Sequence, residues 1–390
     1  MGGRILIDDL PLSPEYVPED LVGRGYELQE MARHFLSPML DASGSPLMVV
    51  VGRKGSGKTA LLKRFGELIE AAGPASGRAI RCAYLDCWRA GGRFFKILEG
   101  ASIALGAGRG SRGRSSNELL GAIGEVSSHG ILPIIIMDDA EALLWAEGPD
   151  PIYILSRMGE GMGVRGFGLL LSLRDKGHLA GVDSGALSTL RRGMLALRGY
   201  SKGELREILA ERARAALREG ALREGSLDLI AEAASRSGDA GLAIRSLKEA
   251  AAMAEREGAG FVEVRHAERA VEEVSASPDP CIMENLSDHE RLLLLAIAKA
   301  LMKGGHREVA MGEAEREYGA LCEGHGIAPR RHTQLWKYVR RLSIAGLLSL
   351  RASGAGFRGR TTLVGLQGLD GDKIINSLGE EMAAMGKWAR

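Results

Sequence analysis

The sequence predicts an α/β domain on a parallel sheet, then a small all-α domain, then a C-terminal winged helix-turn-helix. Three observations predict it. Short, fully apolar runs alternate with helical patterns as far as about Tyr200. A stretch rich in Ala, Glu, Arg and Leu at helical spacing then continues without any strand-like run. Finally, three helical segments precede a β-hairpin pattern, which is the element order of a winged helix. The chain divides accordingly into an N-terminal segment (1–19), an α/β domain (20–200), an all-α domain (201–275), a linker (276–286) and a C-terminal domain (287–390).

Taken in order, "PLSPEYVPEDLVGRGYELQEM" begins with three prolines and leads into an amphipathic helix from about Glu27 to Leu40. "SPLMVVVG" is apolar throughout and bounded by turn residues, as a strand buried on both faces must be. Gly-rich "GRKGSGKT" and a helix to about Glu70 follow. "AIRCAYLDCW" reads as a second strand and "RFFKILEGASIALG" as a helix. "SSNELLGAIGEVSSHG" reads as another helix with a Ser N-cap. "LPIIIMDDA" and "GFGLLLSLRD" are the third and fourth strands. "SASPDPCIMENLSDHE", with two prolines and several turn formers, marks the linker. The C-terminal helices are "HERLLLLAIAKALMKG", "MGEAEREYGALCEGHG" and "RRHTQLWKYVRRLSIAG". "LLSLR" and "RTTLVGL" form the hairpin around "ASGAGFRG", and a last helix is expected from about Asp370 to Trp388.

Composition excludes several classes. The 54 glycines follow no G-x-y period, so neither a collagen-like nor a low-complexity chain is indicated. The four cysteines form no C-x-x-C pair, which argues against a zinc site and a disulfide framework and for reduced, buried thiols. No secretory leader and no apolar run of about 20 residues is present, so no membrane partner is expected and a cytoplasmic, nucleoid-associated protein follows. Net charge is only +1, yet it is unevenly spread. Gly324 to Leu369 holds eight Lys or Arg and no acid, and a second acid-free stretch carries Arg109, Arg112 and Arg114. Two basic patches on a neutral chain point to a localised polyanion site.

Gly52 to Thr59 fits G-x-x-x-x-G-K-[ST] between a strand and a helix. Gly52, Gly55 and Gly57 let the backbone wrap around phosphate oxygens, and Ser56 lies within the same loop. The helix N-terminus near Lys58 adds positive potential, and the Lys58 ammonium reaches the outer phosphates of ATP or ADP. Thr59 offers a hydroxyl to Mg²⁺. Asp138, at the end of the third strand, is placed to hold the same metal through water, and Asp139 sits where a water-activating acid would act.

At the other end, Leu335, Val339 and Leu342 recur at helical spacing and face the core. Arg330, Arg331, Gln334, Lys337, Arg340 and Arg341 are the residues expected to meet duplex DNA in a major groove. Arg358 and Arg360 at the hairpin tip, with Thr361 beside them, suit a narrow minor groove. A winged helix also serves as a protein-contact module, and that reading stays open.

The whole pattern resembles the archaeal origin-recognition and replication-initiator AAA+ ATPases. The resemblance rests on "YVPEDLVGRGYELQEM", "GRKGSGKT", "IIIMDDA", "SKGEL", "SGDAGLAIRSLKEAAAMAE", "HTQLWKYVRRLSIAGLL" and "FRGRTTLV". It implies an AAA+ P-loop domain with a helical lid, in which Tyr16, Val17, Pro18 and Arg24 border the adenine. It also implies that the Arg109–Arg114 insert touches DNA, that the target is a replication origin, and that replicative helicase and paralogous initiators are partners. The chain departs from the family pattern at several places. The second acid is Asp139 rather than Glu, and Arg174 replaces a sensor Asn. Gly185, Leu187 and Thr189 stand where trans-acting arginines lie, with Arg191 and Arg192 displaced. Gly241 stands at the second sensor position, with Arg245 one turn on. Phosphoryl transfer needs such groups to stabilise spreading charge, so nucleotide binding with weak or absent hydrolysis is expected. An active ATPase helicase loader and a regulator without a replication role are the alternatives.

Overall fold

The structure, a computed structural model, describes residues 4–40, 44–74, 79–107, 113–161, 166–353 and 361–384. It divides into two compact units, Met1–Val271 and Glu272–Arg390. Arg109, Arg112, Arg358 and Arg360 lie outside the described residues.

The first unit runs α1 (Gly25–Leu40), β1 (Leu47–Val51), α2 (Lys58–Ala72), β2 (Ala79–Asp86), α3 (Phe94–Ala104), α4 (Ser116–Glu125) and β3 (Ile131–Asp138). It continues with α5 (Glu141–Glu147), α6 (Asp150–Ser156), α7 (Met158–Gly161), β4 (Gly168–Leu173), α8 (Ser184–Arg192) and β5 (Met194–Ala196). Sheet order is β2-β3-β4-β1-β5, and every pairing is parallel. Alternate residues of each central strand enter different cores. Val49, Ile135, Met137, Leu169 and Leu171 pack with α3 to α6 on one side. Met48, Val50, Ile134, Ile136 and Leu170 pack with α1 and α2 on the other. Covered on both faces, these strands had to be apolar throughout, which is why they were legible. The order brings the C-terminal ends of β1, β3 and β4 together, the place where open α/β sheets bind ligands.

The helical part consists of α9 (Lys202–Ala216), α10 (Ser226–Ser235), α11 (Ala240–Arg256) and α12 (Val264–Ala276). Ser201 and Glu204 form a reciprocal capping box that starts α9 at the "SKGEL" stretch. Ile5 and Leu12 are buried in the core of this helical layer, beside Leu205, Leu209 and Leu247. The Ile5 and Leu6 amides both donate to Glu255 Oε1, at 2.7 and 2.9 Å, and Ile7 N donates to the Ala216 carbonyl. The N-terminal segment is thus stitched to the helices that follow the sheet, about which sequence-local patterns say nothing.

The second unit holds α13 (Pro280–Glu284), α14 (Asp288–Gly304), β6 (Val309–Ala310), α15 (Met311–Gly324) and α16 (His332–Ile344). After these come β7 (Leu348–Ala352), β8 (Thr362–Leu366) and α17 (Gly371–Ala384). α13 occupies the segment expected to be linker. β6 makes the hairpin a three-stranded antiparallel sheet, β6-β8-β7. Two residues are too few to show a strand period, so β6 left no trace in the sequence. Leu335, Val339 and Leu342 are buried, as their spacing predicts. Among the described residues no helix is long and apolar enough to cross a membrane.

Candidate functional site

The loop between β1 and α2 has Gly55 at φ 73° and Gly57 at φ 86°, a region L-residues avoid. A Cβ at Gly55 would fall 1.8 Å from Asp239 Oδ1, and one at Gly57 2.3 Å from the Tyr200 hydroxyl. The glycines therefore serve close packing as well as conformation: the loop lies directly beneath the N-terminus of α11. Ala240 N donates to the Gly55 carbonyl at 3.0 Å, and Asp239 caps α11 by accepting from Leu242 N at 2.9 Å. Lys58, buried at the first position of α2, donates from Nζ to the carbonyls of Gly52 (2.7 Å) and Arg53 (3.2 Å). The Ser56 hydroxyl is buried and makes no hydrogen bond among the described residues.

Asp138 collects three hydroxyls. Thr59 Oγ1 and the Tyr84 hydroxyl donate to Oδ2 at 2.6 and 2.7 Å, and Ser172 Oγ donates to Oδ1. Burial and the Asp138 charge both push the Tyr84 phenol up, so it stays a donor. The next residue, Asp139, has φ 47°, the left-handed region that Asp tolerates better than most residues. Its amide donates to Ser172 Oγ at 2.8 Å and to Asp138 Oδ1 at 3.1 Å, which fixes the bend. Thr59 and Asp138 together supply hard oxygen ligands of the kind Mg²⁺ takes alongside water and phosphates. No group of three or more His, Cys, Asp or Glu among the described residues offers an all-protein metal site. The residues present therefore fit a metal that arrives with its nucleotide.

Arg174, directly after β4, lies 3.6 Å from Asp139 Oδ2 (Nη2) and 3.1 Å from Glu141 Oε1 (Nε). Glu141 is fully buried. Burial, then the Asp139 charge, push its carboxyl up to about 7, with Arg174 opposing. Asp139 is raised for similar reasons, by burial and by Asp138, again against Arg174. Sequence reasoning missed Glu141, Tyr84 and Ser172. The signals were a third acid in "DDAE" and a single Ser inside the otherwise apolar β4, whereas Tyr84 sits in a strand that also carries Arg81 and Asp86 and gave none.

Arg24 is fully buried beneath the loop. It donates to the carbonyls of Ser56 and Arg198, pairs with Glu27 at 3.2 Å, and stacks 4.2 Å from the Tyr200 ring centroid. Its donors grip the loop's backbone. Pro18 is buried, while Tyr16 and Val17 are half-buried. Arg212 lies over the Tyr16 ring at 4.3 Å. Gly241 is exposed on α11, with Arg245 half-buried one turn later. Gly185, Leu187 and Thr189 lie on α8, where Arg191 and Arg192 are exposed at its end.

In the second unit Arg331, Lys337 and Arg340 are exposed on α16 or at its N-cap, and Gln334 is half-buried. Arg340 packs over Trp336, 5.4 Å from the ring. Arg330 is exposed but anchored, since its Nε donates to His289 Nε2 at 3.0 Å. The His289 ring in turn bonds the Tyr318 hydroxyl at 2.7 Å, and burial with the Arg330 charge lowers its pKa. Arg341 corrects the sequence reading. It turns inward, 3.1 Å from the fully buried Glu290, and is not presented for DNA; a buried acid on α14 needs that cation. Thr361 N bonds Ser353 Oγ at 3.0 Å and its carbonyl accepts from Ser353 N, closing the base of the hairpin tip. Arg114 precedes α4, whose N-cap is Ser115.

Three family models match the chain: an AAA ATPase domain over residues 20–151, a Cdc6 AAA+ ATPase-type lid domain over 206–272, and a CDC6 C-terminal winged helix domain over 282–376. The chain is 30% identical to the ORC1-type DNA replication protein 2 of Saccharolobus solfataricus, over 91% of this chain and 88% of the relative. It superposes on the Aeropyrum pernix ORC1 protein, solved in complex with DNA, with a TM-score of 0.78, 25% identity and 98% of each chain covered. The Aeropyrum pernix ORC2 protein, solved as ADPNP–ADP complexes, gives 0.64 with 26% identity, covering 97% of this chain and 99% of that one.

Proposed function

Because this chain belongs to the ORC1/Cdc6-type family of AAA+ DNA replication proteins, we propose that it is a nucleotide-holding replication initiator. It binds ATP or ADP at the Gly52–Thr59 loop and duplex origin DNA through its winged helix. The observation that carries the nucleotide reading is the junction of Thr59 with Asp138 at the mouth of a loop whose Lys58 is already pinned in place. In it, Lys58 and the loop amides bind phosphate oxygens. Thr59 and Asp138 orient Mg²⁺, which supplies charge neutralisation on the outer phosphates when bound. α11, docked on Gly55, makes the helical lid sense what the loop holds.

The DNA reading is supported by Arg331, Lys337 and Arg340 on one exposed helix, and by the DNA-bound relative. Arg109, Arg112, Arg358 and Arg360 are proposed to add contacts. Replicative helicase and paralogous initiators are the proposed protein partners, in the cytoplasm at the nucleoid. With Arg174 on Asp139, hydrolysis is weak or absent. The test is binding to a duplex origin fragment over a salt series, with the co-purifying nucleotide identified by chromatography. Phosphate contacts release counterions, so log K must fall steeply with log salt. A flat line sinks the DNA reading; a loop empty of nucleotide that also fails to take up added ADP sinks the other.

A further inference from the structure

We propose that His289 is a positioning residue for DNA binding: it holds Arg330 just ahead of α16, so that the guanidinium meets a DNA phosphate already aligned. This rests on the DNA reading above and adds to it a residue that touches no DNA itself.

Both the main chain and the side chain of Arg330 are tied to one His–Tyr pair by a closed ring of hydrogen bonds. Arg330 Nε donates to His289 Nε2 at 3.0 Å, and Arg330 N donates to the Tyr318 hydroxyl at 3.2 Å. His289 Nδ1 lies 2.7 Å from the same hydroxyl. Only one placement of protons satisfies all three contacts. An arginine Nε has nothing but a proton to give, so His289 Nε2 must be bare. The neutral ring then carries its proton on Nδ1 and donates it to Tyr318. The Tyr318 oxygen accepts twice, and its own proton goes to Cys322, one turn further along α15. Burial and the Arg330 charge lower the His289 pKa, with Asp288 opposing, which favours the neutral ring that these contacts need.

Three elements meet here. His289 stands in the first turn of α14, Tyr318 is buried on α15, and Arg330 precedes Arg331, the N-cap of α16. On α16 the Tyr338 ring lies within 9° of parallel to the imidazole, with centroids 6.3 Å apart. The imidazole is thereby held by its neighbours, and it holds Arg330 in turn. Its bond to the exposed Arg330 takes Nε alone. A guanidinium is a planar fork, so fixing Nε sets the plane in which the two Nη nitrogens can grip phosphate oxygens. Phosphate contacts set the register of a module on its duplex. An arginine ordered in advance avoids the loss of freedom that a loose one suffers on binding, worth about 3- to 10-fold in affinity.

The test is binding of a labelled, mixed-sequence DNA duplex by the full chain at low salt, with melting curves in parallel. Two substitutions take the ring apart at different places. His289→Asn keeps a donor where Nδ1 stands and withdraws the acceptor from Arg330. His289→Gln carries its carbonyl out to where Nε2 stands and withdraws the donor from Tyr318. The expected result is that Asn weakens DNA binding about 3- to 10-fold, while Gln stays within about twofold of wild type. Melting should run the other way, because Gln is the variant that robs a buried hydroxyl. In an Arg330→Ala background, which itself binds more weakly, His289→Asn should add nothing. A histidine that is only structural makes Gln at least as damaging to DNA binding as Asn, and that result overturns the proposal. So does an Asn variant that fails to fold, or an Asn effect that persists without Arg330. Wild type that binds no duplex overturns the DNA reading and this inference together. Wild type that binds, with binding untouched by His289→Asn, overturns this inference alone.

Discussion

Arg24 donates to the Ser56 carbonyl twice, from Nη2 at 2.8 Å and from Nε at 3.2 Å, so a side chain ahead of α1 holds the phosphate loop from below. The same guanidinium reaches the Arg198 carbonyl at 2.7 Å. Replacing it by Ala leaves those buried carbonyls unpaired and Glu27 without its partner. We expect Arg24→Ala to cost about 3–5 kcal/mol of unfolding free energy, and Arg24→Lys to recover only part of it, because an ammonium cannot fork. Urea unfolding checks the first, and ADP titration checks that the loop loosens with it.

Lys58→Ala separates grip from fold. Among the described residues Lys58 hydrogen-bonds only carbonyls of its own loop, so its loss leaves both cores intact. ADP affinity should fall about 10- to 100-fold, the worth of a charge-assisted contact, with the melting temperature of the nucleotide-free protein nearly unchanged. Equal loss of both would mean the lysine is structural.

Glu141 makes stability pH-dependent in a direction unusual for a carboxylate. Its folded pKa, about 7, lies above the ordinary value of 4.5, so between those values the folded protein binds the extra proton. Its own contribution to stability is then fully present below about 4.5 and is lost as pH rises to about 7, flattening above. Asp139, Arg174 and Lys58 face this carboxyl, so the change belongs to the cluster and is on the order of 3 kcal/mol at most. Glu141→Gln should flatten the decline between pH 5 and pH 7.5 in urea titrations, and an unaltered slope would place its origin elsewhere.

Ser172→Ala removes the hydroxyl shared by Asp138 and the Asp139 amide. A buried carboxylate oxygen and a backbone donor lose a partner together, at about 1–3 kcal/mol. Tyr84→Phe removes one bond that Thr59 duplicates on the same oxygen and should cost less, about 1 kcal/mol. Differential denaturation of the two variants tests the order.

Lys337→Ala or Arg340→Ala should lower DNA affinity and reduce the magnitude of the salt slope by about 1 each, with unfolding unchanged. Arg341→Ala should do the opposite. It leaves the buried Glu290 with the Ser287 amide and hydroxyl but without its cation, and destabilises the second unit, whether or not DNA is present.

The elements that speak through local pattern were readable from the chain. Val49–Val51 and Ile134–Met137 are apolar without a break because both faces are covered, and "GRKGSGKT" carries its chemistry in consecutive residues. What was hidden depends on partners distant in sequence. Charge pattern alone put Arg341 with its exposed neighbours, yet Glu290, 51 residues earlier, turns it inward. Arg174 read as a missing sensor, whereas the fold gives it two acids. Tyr84 and Ser172 became part of the site only once β2, β3 and β4 lay side by side.

The attachment of Ile5 to Glu255 has a consequence for the order in which the molecule is made. The two residues are 250 positions apart, and Ile5 has no exposed surface once the helical layer is complete. On the ribosome, at about 5–20 residues per second, Ile5 must wait some tens of seconds for the helix that will bury it. The α/β sheet can close meanwhile, since its own strands end at Ala196. Removing residues 4–8 should therefore leave a sheet that folds on schedule and a helical layer that opens readily to protease, so that synthesis itself imposes an order in which the helical layer is finished after the sheet.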